Sequence, residues 1–289
     1  MITNILVWTL IALFVFWFFG GFKYIGNVKR RKRLQSRLKE QSDGSPLQLL
    51  TAALDEANLD QFHDLVVKAD QELLSLIEPL CAKYITQLTE YIKQYPDQAN
   101  GLYLLGVAET GIAWQLRSGA VAEKLSEEQV GDFLHYLHRA EATFSHALEL
   151  NPEQPLVYPM MIRVMKGLGK KQEAYRLYKQ STDQKVLTYK AAREMVNLLS
   201  ERWLGEAGEM LDFAREQLSS HGGLPGMFAI VLDAYIERDI ETDEKKFFKK
   251  TDISQALNQA EIEAAESDPS NYLGQSMRYS ALNTMALVH

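Results

Sequence analysis

The sequence contains a single cysteine, Cys81, among 289 residues. One thiol excludes an internal disulfide framework, a four-thiolate zinc site and a Cys-x-x-Cys redox pair. Proline and glycine are also scarce, with 8 and 17 residues, which argues against a fibrous or disordered chain. Apolar residues make up 46% of the sequence and charged residues 24%, as in globular proteins. Most of the chain is therefore expected to fold.

Motifs for catalysis are missing as well. The sequence has no Gly-x-x-x-x-Gly-Lys-Ser/Thr, Gly-x-Gly-x-x-Gly or Gly-x-Ser-x-Gly. His135 and His138 could share a metal ion with Asp132, but His146 is about 16 Å from His135 along a helix axis and could not join them. Two or three such residues on a helix are common, and Cys81 is expected to be packed rather than reactive. We predict no catalytic site, no metal and no cofactor, and hence a protein that is not an enzyme.

Charge is distributed unevenly along the chain. Eight of the 31 basic residues precede the first acidic residue, Glu40, so the rest of the chain has 23 basic against 38 acidic residues. A body this acidic is a poor general binder of nucleic acid. We therefore expect no nucleic-acid partner.

Residues 2–22 carry no charged side chain. As a helix this segment spans about 31 Å, the thickness of the hydrocarbon core of a bilayer. Between Ile5 and Phe19, 11 of 15 positions are Leu, Ile, Val or Phe. A cleaved signal peptide is the alternative, but Met1–Asn4 lacks its basic residues and no Ala-x-Ala cleavage site follows. The sequence predicts a single-pass transmembrane anchor over residues 1–22.

Basic residues follow this segment at once. The positive-inside rule places the body of the protein in the cytoplasm and the N-terminus outside. The same cluster could alternatively attract anionic lipid headgroups, at about 1 kcal/mol per residue. The stem and a polar linker occupy residues 23–45, and the densest basic run is Lys29, Arg30, Arg31, Lys32 and Arg33.

Residues 46–289 have the pattern of an all-α domain. Apolar residues recur at intervals of three and four, as in Leu73, Leu76 and Leu80. Most prolines lie between these periodic stretches, where a helix can begin or end, and Pro79 is expected to open or kink a helix.

The strongest signal is a repeat. Ala174 and Tyr178 follow Ala140 and Phe144 by 34 residues, with Gly169 expected at the turn inside the second unit. One segment resembles the second helix and exit of a tetratricopeptide repeat, whose period is about 34 residues: Ala140-x-x-x-Phe144-x-x-Ala147-Leu148-x-Leu150-Asn151-Pro152. The resemblance implies an α-solenoid of helix pairs after the transmembrane helix, clearest over residues 98–204.

The first unit departs from the family pattern. Leu102-x-x-Leu105-Gly106 resembles the start of a repeat, yet 34 residues separate Gly106 from Ala140 where the family has about 12. An insertion of roughly 22 residues must lengthen this helix pair or add a loop. Ser126 and Gln129 match a capping box that opens the helix ending near Asn151.

Later units are degenerate. We expect a third pair over Val186–Leu204 and Glu206–Leu218, and a fourth over residues 225–238 and 251–266. Arg202-Trp203-Leu204-Gly205 with Glu209–Arg215 is similar to a bacterial family of unknown function built from helix pairs, over about residues 97–239. That resemblance implies a bacterial inner membrane and carries no known chemistry. An unrelated helical bundle is the alternative.

The repeat resemblance implies a binding surface. First helices line the concave face of such a solenoid, and their positions two, five, nine and twelve point into it. The predicted groove contains Asn100, Tyr103, Val107 and Thr110, then Leu156, Pro159, Arg163 and Lys166, then Lys190, Arg193, Asn197 and Ser200. Its arginines and asparagines resemble those of carboxylate-clamp repeats, which implies binding of a peptide carboxylate or acidic side chain. The alternative is an ordinary solvated face.

These features favour a membrane-anchored adaptor or scaffold that recruits a partner protein or peptide through a basic concave groove. The alternative is a structural subunit of a membrane or envelope assembly, held by its span and terminal helices. An enzyme with an unrecognised site is a third and weaker hypothesis.

Overall fold

The computed structural model describes residues 46–56, 58–59, 61–62, 71–117, 125–221, 230–231, 233–235 and 237. Over these residues the protein is all-helical and has no β-strand, as the sequence predicts. The predicted anchor over residues 1–22, the basic stem and the helix predicted over 251–266 lie outside them. Within the described ranges, no helix is both long and apolar enough to cross a membrane.

Nine helices succeed one another in the described part of the chain. They are α1 (Pro46–Asp55), α2 (Gln71–Lys83), α3 (Ile85–Gln94), α4 (Ala99–Arg117), α5 (Glu127–Leu150), α6 (Val157–Gly167), α7 (Lys171–Asp183), α8 (Tyr189–Leu198) and α9 (Glu209–His221). Each helix from α4 to α8 packs against the next one. The alternate helices α4, α6 and α8 also contact one another in turn, and α2 and α3 both contact α4. This arrangement is compatible with a helical-repeat fold.

The insertion predicted in the first pair lengthens both of its helices. Helix α4 has 19 residues and α5 has 24. The capping box forms as expected: the Gln129 backbone N–H donates to Ser126 Oγ at 3.1 Å, and the Ser126 N–H donates to Gln129 Oε1 at 3.0 Å. Helix α5 ends at Leu150, with Asn151 as its C-cap.

The 34-residue spacing marks equivalent core positions. Ala140 and Phe144 on α5 are fully buried, as are Ala174 and, almost completely, Tyr178 on α7. Gly106 on α4 lets the Phe144 ring approach closely, because a Cβ atom there would lie 2.6 Å from the ring. Phe144 thus packs on α4, whereas the Tyr178 ring lies 5.3 Å from that of Phe213 on α9.

The turn inside the second pair is also as predicted. Gly169, between α6 and α7, has φ of +71°, a backbone conformation that glycine adopts without the strain other residues incur. Gly205, after α8, is needed for a different reason. A Cβ atom at Gly205 would lie 1.7 Å from the carbonyl oxygen of Leu199, so no larger residue fits there.

The structure resolves the position of Pro79 and changes one helix boundary. Pro79 lies inside α2, so of its two expected roles it does not open a helix. The first helix of the third pair is shorter than Val186–Leu204, since it runs from Tyr189 to Leu198. Thr188 sets its start, because the Thr188 hydroxyl accepts a hydrogen bond from the Ala191 N–H at 3.3 Å.

Candidate binding site

Seven of the twelve residues predicted for the groove fall into two groups. The other five are buried: Val107, Thr110, Leu156, Pro159 and Ser200. Asn100 and Tyr103 lie near the start of α4, away from the predicted basic residues. Asn100 Oδ1 accepts a hydrogen bond from Gln154 Nε2 at 3.3 Å. Tyr103 is buried, with its ring 6.4 Å from that of Phe144. Both side chains therefore join α4 to the segment that follows it, through contacts to α5 and to the turn after α5.

The second group lies on two neighbouring helices. Helix α6 carries Arg163 and Lys166, and α8 carries Lys190, Arg193 and Asn197. The two helices meet through a hydrogen bond from Lys166 Nζ to Asn197 Oδ1. These side chains therefore lie on two helices that contact each other.

Carboxylates lie beside the cations of this group. Arg163 donates to Glu78, a residue of α2, and forms an ion pair with it. Lys166 Nζ is 3.8 Å from Glu194 Oε2 on α8. Lys190 lies in the field of both Glu194 and Glu78. An acidic ligand would have to compete with these carboxylates.

Burial changes the titration of the two lysines. Burial lowers the pKa of Lys166, although Glu194 favours its charged form. Burial likewise lowers the pKa of Lys190 to about 8, against the opposing effect of Glu194 and Glu78. Lys190 is thus a cation that titrates within an accessible pH range.

Arg193 is the most exposed of the four cations. Its side chain is 48% exposed, and its Nε lies 3.5 Å from Asp233 Oδ2. Asp233 is buried and also accepts a hydrogen bond from the Tyr189 hydroxyl. Burial raises the pKa of the Asp233 carboxyl, while Arg193 and Tyr189 act in the opposite direction.

Aromatic residues complete the surface. Trp114 on α4 and Trp203 after α8 have ring centroids 5.5 Å apart, at an angle of 78°. Lys166 Nζ lies 5.2 Å from the Trp114 centroid and 5.0 Å from that of Trp203. Arg163 lies 5.4 Å from Trp114, and Arg117, at the end of α4, lies 4.7 Å from Trp203. We call Trp114, Arg117, Arg163, Lys166 and Trp203 the cation–aromatic cluster.

Sequence reasoning missed three members of this cluster. The mapped positions of α4 stopped at Thr110, where an ordinary first helix would end. The insertion extends α4, and Trp114 and Arg117 follow Thr110 at helical spacings of four and then three residues. The extended periodicity was the available signal for these two residues. Trp203 enters the sequence analysis only as part of the motif Arg202-Trp203-Leu204-Gly205, which carries no binding role.

Other candidate residues are placed apart from the cluster. His138 Nδ1 lies 3.3 Å from Glu141 Oε2, and His146 Nε2 lies 3.8 Å from Asp97 Oδ1. In the ranges that the structure describes, no group of three His, Cys, Asp or Glu side chains is arranged to hold a metal ion. Cys81 is fully buried, and burial raises the pKa of its thiol. A buried neutral thiol is a poor nucleophile.

Comparisons with known proteins return no relative. No protein-family model matches this chain, and neither does any curated protein or solved structure. The resemblances to tetratricopeptide repeats and to a bacterial helical family therefore rest on the sequence motifs alone. The described helices are compatible with a helical-repeat fold.

Proposed function

We propose that this protein is a membrane-anchored adaptor whose tetratricopeptide-like solenoid binds a partner protein or peptide on the surface formed by α4, α6 and α8. The apolar segment of residues 2–22 holds the protein in the membrane, and the basic residues that follow it keep the helical domain in the cytoplasm. The protein then recruits its partner to the bilayer.

The cation–aromatic cluster is the observation that carries this proposal. It joins side chains from α4, from α6 and from the turn after α8, and so lies across three successive helix pairs. Tryptophan and arginine are the residues most enriched at the energetic centres of protein interfaces. Apolar contact with the indoles supplies affinity, and the surrounding charges select the partner.

The first experiment tests Arg163. The full-length protein is extracted from its native membrane with mild detergent, and the proteins that co-purify are identified by mass spectrometry. In Arg163→Glu, the new carboxylate faces Glu78, so the surface loses a cation and gains repulsion. A partner that contacts this surface is expected to be lost.

A charge swap provides the matched control. Glu78→Arg with Arg163→Glu restores an ion pair between α2 and α6 while leaving Arg163 reversed. Loss of the partner in both variants means that the partner contacts Arg163 directly. Recovery in the swap means that the single variant acted through folding, and a partner retained by both variants contradicts the proposed surface.

A structural subunit of an envelope assembly is the second candidate. Val130 and Leu134 lie one turn apart on α5 and expose 38% and 37% of their surface. Such an apolar pair suits a permanent contact with another subunit. This candidate is favoured if a partner still co-purifies with Arg163→Glu but is lost in Val130→Ser/Leu134→Ser.

A further inference from the structure

We propose that Arg117 binds a carboxylate of an acidic peptide, with its guanidinium held against the indoles of Trp114 and Trp203. This inference rests on the proposed function, because it names the chemistry of the partner that the surface would select. It also assigns the recognition to a residue outside the groove predicted from the repeat pattern.

Arg117 differs from the other described arginines in its ion pairing. The structure describes seven arginines, and six of them have a carboxylate oxygen within 4 Å. Those six are Arg139, Arg163, Arg176, Arg193, Arg202 and Arg215. Arg117 alone among the described arginines has none.

The surroundings of Arg117 are aromatic rather than acidic. Its Cζ lies 4.7 Å from the Trp203 centroid and 5.6 Å from that of Trp114. Burial lowers its pKa, and none of the described carboxylates offsets that effect. A partly desolvated cation without a counterion is costly, and a bound anion relieves that cost.

A second donor in the same place is unsatisfied. The indole N–H of Trp114 is buried and has no acceptor among the described residues. Buried donors normally have an acceptor, so this one is an exception that needs explaining. The free cluster thus leaves both a guanidinium and an indole N–H short of acceptors.

The ion pairing within the cluster favours a single negative charge as the ligand. Arg163 is paired with Glu78, and Lys166 is bonded to Asn197 with Glu194 nearby. Arg117 is therefore the one cation of the cluster that has no described carboxylate beside it. A carboxylate is a monoanion, and its planar pair of oxygens matches the edge of a guanidinium. A guanidinium stacked on an aromatic face keeps that edge available.

The test uses intrinsic fluorescence of the full-length chain in phosphatidylcholine nanodiscs. The sequence has four tryptophans, so Trp8→Phe/Trp17→Phe leaves emission from Trp114 and Trp203 alone. The probe is octaglutamate, with octaglutamine as the uncharged comparison. Binding at Arg117 is expected to change the emission with octaglutamate only, and saturably. This local readout separates the cluster from the basic stem, which also attracts polyanions.

Variants identify the residue responsible. In this background, Arg117→Gln is expected to weaken octaglutamate binding about tenfold or more, because charge-assisted hydrogen bonds are lost. Arg117→Lys is expected to bind with intermediate affinity, since it keeps the charge but not the planar fork. Arg176→Gln is the matched control, because Arg176 pairs on an exposed helix face with Glu173, and it should bind like the parent.

Three results would overturn the inference. They are no emission change with octaglutamate, unchanged affinity in Arg117→Gln, and displacement of octaglutamate by equimolar inorganic phosphate, which would make a free phosphate the better ligand. None of these affects co-purification of a partner through Arg163, so the failure of this inference is distinguishable from failure of the adaptor function. Thermal unfolding followed by circular dichroism verifies that each variant is folded.

Discussion

Arg139→Met should destabilise the protein through a buried carboxylate. Glu109 on α4 is 1% exposed, and its charge is compensated from α5. Arg139 Nε donates to Glu109 Oε1 at 2.9 Å, and the Thr143 hydroxyl donates to Oε2 at 2.9 Å. Methionine keeps most of the side-chain volume but removes the cation, so the carboxylate keeps only Thr143 of these two partners.

The expected decrease in the free energy of unfolding follows from the burial of Glu109 and Arg139. Removing one partner of a fully buried ion pair costs about 3–5 kcal/mol. Arg139 is 40% exposed, so water replaces part of its contribution. We therefore expect a loss of about 2 kcal/mol, which lowers the melting temperature by about 4–8 °C in a domain of this size.

The stability lost in Arg139→Met should depend on pH in a defined direction. Burial raises the pKa of Glu109, while Thr143 and Arg139 oppose that effect. A carboxyl group with a raised pKa in the folded state stabilises that state when protonated, and this stability disappears as the pH rises through the folded pKa. Without Arg139 the pKa rises further, so the loss should be smaller at pH 5 than at pH 7.5.

Thermal unfolding of the full-length protein in mild detergent, followed by helical circular dichroism, measures both effects. Glu109→Gln/Arg139→Met removes both charges and should recover about half of the lost stability. Arg176→Met, in an exposed pair with Glu173, should change stability by less than about 0.5 kcal/mol. The reasoning is refuted if Arg139→Met melts like wild type, or if its loss is the same at pH 5.

Three further predictions use the same melting assay or a simple chemical probe. Gly106→Ala should cost about 1–3 kcal/mol because its Cβ meets the Phe144 ring at 2.6 Å, whereas Gly131→Ala, with no atom within 4 Å, should be neutral or slightly stabilising. Equal effects of the two alanines would contradict this. The Lys190 pKa of about 8, lowered from 10.5, means that wild-type stability gains from deprotonation as the pH rises from 8 to 10.5. The stability of Lys190→Met relative to wild type should therefore be higher at pH 7 than at pH 10. A stability difference that does not change with pH would argue against the lowered pKa of Lys190. Cys81, fully buried, should react with a thiol reagent only after denaturation, and rapid labelling of the folded protein would disprove its burial.

Local sequence patterns were sufficient for most of the helical architecture. The capping box of Ser126 and Gln129 predicted the start of α5, because its hydrogen bonds involve residues three apart. The spacing of Ala140 and Ala174 predicted equivalent core positions on α5 and α7, which are both buried. Boundaries were less predictable, since the third pair begins with a helix shorter than expected.

The candidate site was only partly predictable. The repeat register placed Arg163 and Lys166 on α6 next to Asn197 on α8, and the hydrogen bond between Lys166 and Asn197 agrees with that neighbourhood. The same register stopped at Thr110 and so did not include Trp114. A repeat pattern of standard length does not include the residues that the insertion adds at the end of α4.

The sequence by itself determined which segments are helical, where they are capped and which faces are apolar, because these properties depend on residues a few positions apart. Only the tertiary structure decided which charges meet. Glu78 pairs with Arg163 across 85 residues, and Trp114 contacts Trp203 across 89. These contacts depend on how α2, α4 and α6 stack and on the turn after α8. That stacking is set by packing between helices, which the pattern within any one helix does not encode.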